Sequence, residues 1–294
     1  MQRSSHILFR IFLLVIRIIF LLIFSSAFRL LHPLHSYAFA MESVTITIHW
    51  HDESQPIYLV AFQPAVGVLP RLVTAGGDSN VRIWRLSPLI SGGVEYLSTL
   101  RKHTQAVNAV RFDSSGTTLA SAGDDGSLIL WKRSDTIKRE FGEEEDDDDA
   151  SELWIAKKIL RNSTSEIYDI SWSPDGDHIA AGAMDNSLRI YNLATGKTAM
   201  IRDHAHYVQG VAWDPLGEFL VTQLADRSIN VYRFQNNLEE PVLLHKSSRG
   251  VFENDRLRVL YHSETLQSFF RRLTFSPDGS LLLVPLGVYR AANE

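Results

Sequence analysis

Between residues 71 and 232 one pattern of apolar and polar positions recurs four times: RLVTAGGDSNVRIW (71–84), TLASAGDDGSLILW (118–131), HIAAGAMDNSLRIY (178–191) and FLVTQLADRSINVY (219–232). In each copy an apolar run reaches a turn containing Asp, and a second apolar run closes on an aromatic six residues after that Asp. The pairs are Asp78 with Trp84, Asp125 with Trp131, Asp185 with Tyr191, and Asp226 with Tyr232. A β-rich run that ends in a turn precedes each copy: YLVAFQP, NAVRFDSSG, YDISWSPDG and GVAWDPLG. A fifth such run, RRLTFSPDG, starts at Arg271. Strand, tight turn, strand, second turn and strand predict one antiparallel meander per repeat.

A meander of this kind cannot bury both faces alone, and units of roughly 40 to 45 residues stack radially into a propeller. The closing aromatics are spaced by 47, 60 and 41 residues, which agrees once an insert is allowed in the longest interval. The fold class expected is therefore all-β, a β-propeller. From about Glu42 onward the repeats resemble the WD-repeat family. The resemblance implies a hydrogen-bonded tetrad in each blade, and it maps in full onto one repeat, as His103, Ser121, Asp125 and Trp131. Repeat four keeps His204, Thr222 and Asp226 but has Tyr232, and repeat three has Ser163 and Ala181 at two tetrad positions. The family commonly has seven blades; four are visible here with the start of a fifth, so a truncated propeller is expected. The alternating run VTITIHW (44–50) reads as the strand that would close the ring.

The first forty residues differ from the rest. Ile7 to Leu31 form an apolar stretch long enough to cross a bilayer, with Arg10 and Arg17 inside it at about 2.5 to 3.5 kcal/mol each on insertion scales. Two readings stay open for residues 1–40: a signal or anchor with Ala38-Phe39-Ala40 as a cleavage site, or a mis-assigned start upstream of Met41. The domain expected is residues 41–294. The net charge of −5 divides unevenly, because residues 1–40 carry four arginines and no acid. Seven of the remaining negative charges are one run, Glu143, Glu144, Glu145, Asp146, Asp147, Asp148 and Asp149. The rest of the body is nearly neutral, which argues against direct, sequence-specific nucleic-acid binding. There is no cysteine, so disulfides, thiolate zinc sites and a cysteine nucleophile are excluded.

The acidic run belongs to a loop insert over residues 134–151, between Trp131 and the strand-like LWIAKKIL (153–160). Adjacent carboxylates repel and resist burial, so the run is expected in solvent, as a spacer or as a field that steers a basic partner. No glycine-rich phosphate loop, nucleophile elbow or His-Glu-x-x-His pattern occurs; no enzymatic activity and no cofactor are expected. The pairs His204/His206 and His49/His51 lack a third ligand and read as incidental. Asn162-Ser163-Thr164 is a glycosylation acceptor pattern, relevant to a secreted chain.

Three stretches, HTQAVNAVRF (103–112), YVQGVAWDPLGEFLVT (207–222) and SFFRRLTFSPDGSLLLVPLG (268–287), resemble the middle, propeller-bearing subunit family of chromatin assembly factor one. The opening VTITIHWHDESQPIYLVAFQP also fits. The resemblance implies a scaffold of a replication-coupled histone chaperone in the nucleus. Its implied partners are the large subunit of that complex, histones H3–H4 and other histone chaperones. Asp226-Arg227-Ser228 and the Trp-Asp-Pro turn are shared with a replication-independent, histone-regulator type of propeller, which remains the alternative. A secreted or membrane-anchored propeller is the other, with a membrane as partner only if the leader is real. Within SFFRRLTF, strand alternation predicts different surroundings for Arg271 and Arg272, one of them contacting an acidic partner or anchoring a neighbouring loop.

Overall fold

A computed structural model of the chain describes residues 51–64, 71–87, 93–134, 150–161, 163–234, 241–251, 257–262 and 269–288. The leader, the run 44–50, the acidic run 143–149 and the sequon residue Asn162 lie outside the described residues. Sixteen strands form four antiparallel four-stranded sheets, each a meander in chain order. The first sheet holds β1 (Ile57–Phe62), β2 (Arg71–Gly76), β3 (Val81–Ser87) and β4 (Gly93–Leu100). The second holds β5 (Val107–Phe112), β6 (Thr118–Gly123), β7 (Leu128–Ser134) and β8 (Leu153–Leu160). The third holds β9 (Ile167–Trp172), β10 (His178–Ala183), β11 (Leu188–Asn192) and β12 (Thr198–Ile201). The fourth holds β13 (Val208–Trp213), β14 (Phe219–Leu224), β15 (Ile229–Phe234) and β16 (Pro241–Ser247). These are the expected propeller blades. A hairpin that the repeat pattern does not predict comes next, β17 (Arg249–Val251) with β18 (Leu257–Val259). The fifth run follows it as a short hairpin, β19 (Thr274–Phe275) with β20 (Leu282–Leu283).

The repeat template accounts for the blades residue by residue. The closing aromatic of each third strand sits opposite an apolar residue of the second: Leu72 with Trp84, Leu119 with Trp131, Ile179 with Tyr191, Leu220 with Tyr232. All four aromatics are buried. The residue after each template Asp turns the chain through the left-handed region: Ser79, Gly126, Asn186 and Arg227 have φ of 63°, 69°, 60° and 69°. That region costs an L-residue roughly 1–2 kcal/mol, and only blade two uses glycine there. A Cβ on Gly126 would also meet the Ser163 carbonyl oxygen at 2.5 Å.

Neighbouring blades are joined through their first strands, which carry the core. One apolar cluster spans blades one to three, from Leu59 and Val73 through Val110 and Trp131 to Ile170 and Tyr191. A second joins blades three and four around Ile190, Val211 and Tyr232. A third carries blade four onto Tyr261 and Leu273. Polar cross-links accompany this packing: Trp172 Nε1 donates to the Arg111 carbonyl (3.0 Å), and the Trp213 backbone N–H donates to Ser171 Oγ (2.9 Å).

Candidate partner-binding site

The tetrad expected in blade two is formed. His103 Nε2 lies 2.8 Å from Ser121 Oγ and its Nδ1 lies 3.0 Å from Asp125, while Trp131 Nε1 donates to Ser121 Oγ at 2.8 Å. Burial alone would raise the Asp125 carboxyl. His103 and the backbone N–H groups of Ser127 and Thr104 outweigh it and bring the pKa down to about 2. These groups hold strands together and are turned inward.

The expectation that only one repeat carries the full tetrad is corrected by blade one. His51 Nε2 lies 2.8 Å from Thr74 Oγ1 and its Nδ1 2.8 Å from Asp78, and Trp84 Nε1 donates to Thr74 Oγ1 at 2.9 Å. His51 is thus a tetrad member and not an incidental histidine; His49 lies outside the described residues. The buried Arg82 adds an ion pair to Asp78, and together these partners overcome burial and hold the Asp78 carboxyl well below its ordinary range. Blade three, which lacks the histidine, keeps the equivalent arginine: Arg189 pairs with Asp185, which also accepts from the Ser187 hydroxyl at 2.5 Å. In blade four the network is rewired. His204 Nε2 contacts Thr222 Oγ1 (3.1 Å) and the Tyr232 hydroxyl (2.9 Å), and that hydroxyl donates to Asp203 (2.7 Å), while Asp226 pairs with Lys246 (3.4 Å). Burial lowers the His204 pKa, against the pull of Asp203.

Arg271 and Arg272 precede β19, so strand alternation does not separate them, and both turn inward. Arg271 is fully buried, and its carbonyl leaves no room for a Cβ at residue 210, where the approach would be 1.6 Å; Gly210 is required there. Arg272 reaches three other blades. It donates to the carbonyls of Tyr58 (2.9 Å) and Asn108 (2.5 Å), its Nε lies 3.8 Å from Asp169, and its guanidinium sits 4.2 Å from the Phe270 ring. Burial pulls its pKa down to about 10, so it stays cationic at neutral pH. Asp169, with a fully buried side chain, also accepts from Arg111 (3.1 Å) and from the Val211 backbone N–H (3.0 Å). Arg272 is thus an internal tie between blades, as expected of one of the pair, and the Arg271 side chain is fully buried.

The acidic run lies outside the described residues, but its root is well placed. The insert leaves the end of β7 and returns at Glu152, which is clamped onto blade one. Arg71 grips both carboxylate oxygens at 2.7 and 2.5 Å, Trp154 Nε1 donates at 3.1 Å, and the Glu152 N–H donates to the Leu97 carbonyl at 3.0 Å. These partners keep Glu152 ionised by lowering its pKa against the effect of burial. The root of the insert is thereby fixed at the boundary between blades one and two.

Aromatic side chains gather where the first strands begin, on the face that carries the Asp turns. Tyr207 and Phe269 lie nearly parallel with ring centres 6.1 Å apart, and Tyr168 stands edge-on to both at 5.9 and 4.8 Å. Phe270 continues the group to Tyr58 at 5.4 Å. Nothing in the repeat template marks these positions, because the rings come from separate repeats. Among the described residues, no group of three or more His, Asp or Glu is placed to hold a metal, and no helix is long and apolar enough to cross a membrane.

The sequence is similar to that of known proteins. The sequence model of the family described as CAF1B/HIR1 beta-propeller domain matches residues 41–294. The B subunit of chromatin assembly factor 1 from Saccharomyces cerevisiae is 40% identical over 296 residues, covering 86% of this chain and 61% of that protein. The Gallus gallus protein of the same name is 40% identical over 262 residues, covering 86% and 46%. Protein HIRA of Zea mays is 35% identical over 133 residues, covering 43% and 14%. The chain therefore spans about half to three-fifths of the length of these two chromatin assembly factor relatives.

Proposed function

Because the chain belongs to the CAF1B/HIR1 β-propeller family, we propose that it is a non-catalytic scaffold subunit of a chromatin-assembly complex, resident in the nucleus. It docks the large subunit and helps to hold histones H3–H4 while they are deposited on newly replicated DNA. The observation that carries this reading is the 40% identity to the B subunit of chromatin assembly factor 1 across 86% of the chain. The lower identity of the HIRA match, 35% against 40%, favours this reading over a replication-independent histone chaperone. The polar groups of the tetrads and of the Asp169 centre are engaged in joining strands and blades, which supports a role exercised through surfaces. The acidic run Glu143–Asp149 is proposed to steer basic histone surface toward the propeller. A concentrated negative field accelerates encounter more than it strengthens the final complex. Co-purification with the large subunit from an expressing cell tests the reading.

A further inference from the structure

The aromatic group on the Asp-turn face carries acidic side chains beside it. Tyr168 donates its hydroxyl to Glu166 at 2.8 Å, which engages one of roughly four lone-pair sites that a carboxylate offers. Asp124 stands close enough to Glu166 and Asp125 for their charges to add to burial in pushing its carboxyl pKa up. Its described partner is a neutral one, the amide of Asn108 at 2.5 Å. Among the described residues, neither Glu166 nor Asp124 forms an ion pair of the kind that Arg82 makes with Asp78 or Arg71 with Glu152, so the negative potential at this spot is kept. Phe269 is a large apolar side chain left 41% exposed at the same place, held by its carbonyl, which accepts from the buried Gln209 amide at 2.8 Å. The backbone is therefore held there, the ring packs against Tyr168 and Tyr207, and part of its surface stays available.

An exposed ring fixed beside two carboxylates fits one kind of guest. A cation within about 6 Å of a ring centre gains from the negative face of the π-system, and its alkyl stem covers the apolar surface while the head meets the acid. We propose that Phe269, Tyr168 and Tyr207, with Glu166 and Asp124, form a site for a lysine or arginine side chain in a basic peptide segment of a partner. Phe269 and the half-buried Tyr207 take the stem and one face of the cation, the buried Tyr168 holds Glu166 in place, and Glu166 accepts the N–H groups of the guest. The site deepens the scaffold reading by giving basic cargo a place to dock, and it rests on that reading for the identity of the cargo.

The test is fluorescence anisotropy of a labelled lysine- and arginine-containing peptide titrated with the full chain, beside a matched peptide with acetylated lysines and citrulline for arginine. The basic peptide is expected to bind and the neutral one to bind weakly or not at all. Phe269→Ala is expected to weaken binding by about 2- to 30-fold, the range of a cation–π contact. Glu166→Gln keeps an acceptor for the Tyr168 hydroxyl and so preserves the local structure; it is expected to raise Kd and flatten the salt dependence. Equal binding of the two peptides, or unchanged affinity and salt dependence in Glu166→Gln, overturns the site even if Phe269→Ala fails to fold. Wild-type chain that binds the peptide in a Phe269- and Glu166-dependent way but does not hold the large subunit overturns the scaffold reading and leaves the site standing.

Discussion

The Arg272 guanidinium lies 3.8 Å from the buried Asp169 carboxylate while its two terminal nitrogens cap the carbonyls of Tyr58 and Asn108. One side chain from the fifth repeat thereby joins the first strands of blades one, two and three. Arg272→Ala removes a cation from a buried carboxylate and uncaps two carbonyls. Asp169 keeps Arg111, so the loss expected is about 3 kcal/mol, at the low end for breaking a buried pair. Arg272→Lys restores the charge but not the fork of donors and recovers part of it. Urea denaturation of both variants checks the order.

Trp131→Ala deletes a large buried ring and is expected to cost about 3 to 5 kcal/mol. Trp131→Phe separates packing from polarity: the ring is largely kept, but Ser121 loses the indole N–H, at about 1 kcal/mol. Because blade one has the same tetrad, Trp84→Phe should behave like Trp131→Phe, whereas Tyr191→Phe in blade three should not break a tetrad bond. Thermal unfolding of the three variants makes the comparison.

Stability should fall on acidification in two steps. His204 has a folded pKa below its ordinary value, so the unfolded chain takes up the proton first, and stability is lost as the pH drops below about 6.5. Asp125 also has a depressed pKa, about 2 against 3.8. Its contribution is present above 3.8 and disappears as the pH falls through that interval, at most roughly 2 kcal/mol once solvent screening is allowed for. Denaturation midpoints across pH should show the first step removed in His204→Gln and the second reduced in Asp125→Asn, with the remainder carried by the depressed carboxyls of Asp78 and Glu152.

Replacing Glu143–Asp149 with serine and glycine should leave the fold intact and slow histone association, most at low salt where screening is weakest. Stopped-flow association with core histones at two ionic strengths reads the effect. An unchanged rate at low salt would make the run a spacer.

The blades were legible because the Asp-to-aromatic spacing states both turn and register, and the fifth hairpin followed from its Ser-Pro-Asp-Gly turn. The tetrad of blade one was missed for a reason of length. His51 precedes Asp78 by 27 residues, whereas His103 precedes Asp125 by 22, and a short 3-10 turn at Asp52–Ser54 takes up part of the difference. Arg82 and Arg189 read as ordinary strand charges, since nothing local tells a buried cation from an exposed one. The Arg272 contact with Tyr58 spans 214 residues, and the aromatic group from Tyr58 to Phe269 is assembled from four repeats. Both exist only once the first strands converge.

A scaffold must hold its partner through purification, so the decisive experiment co-expresses the full chain with the large subunit of the chromatin assembly complex. The purified material is then analysed by size-exclusion chromatography with light scattering. A single species containing both chains, able to take up H3–H4, is the predicted result. Elution of the two as separate species, with histone binding by the large subunit indifferent to this chain, would contradict the scaffold role.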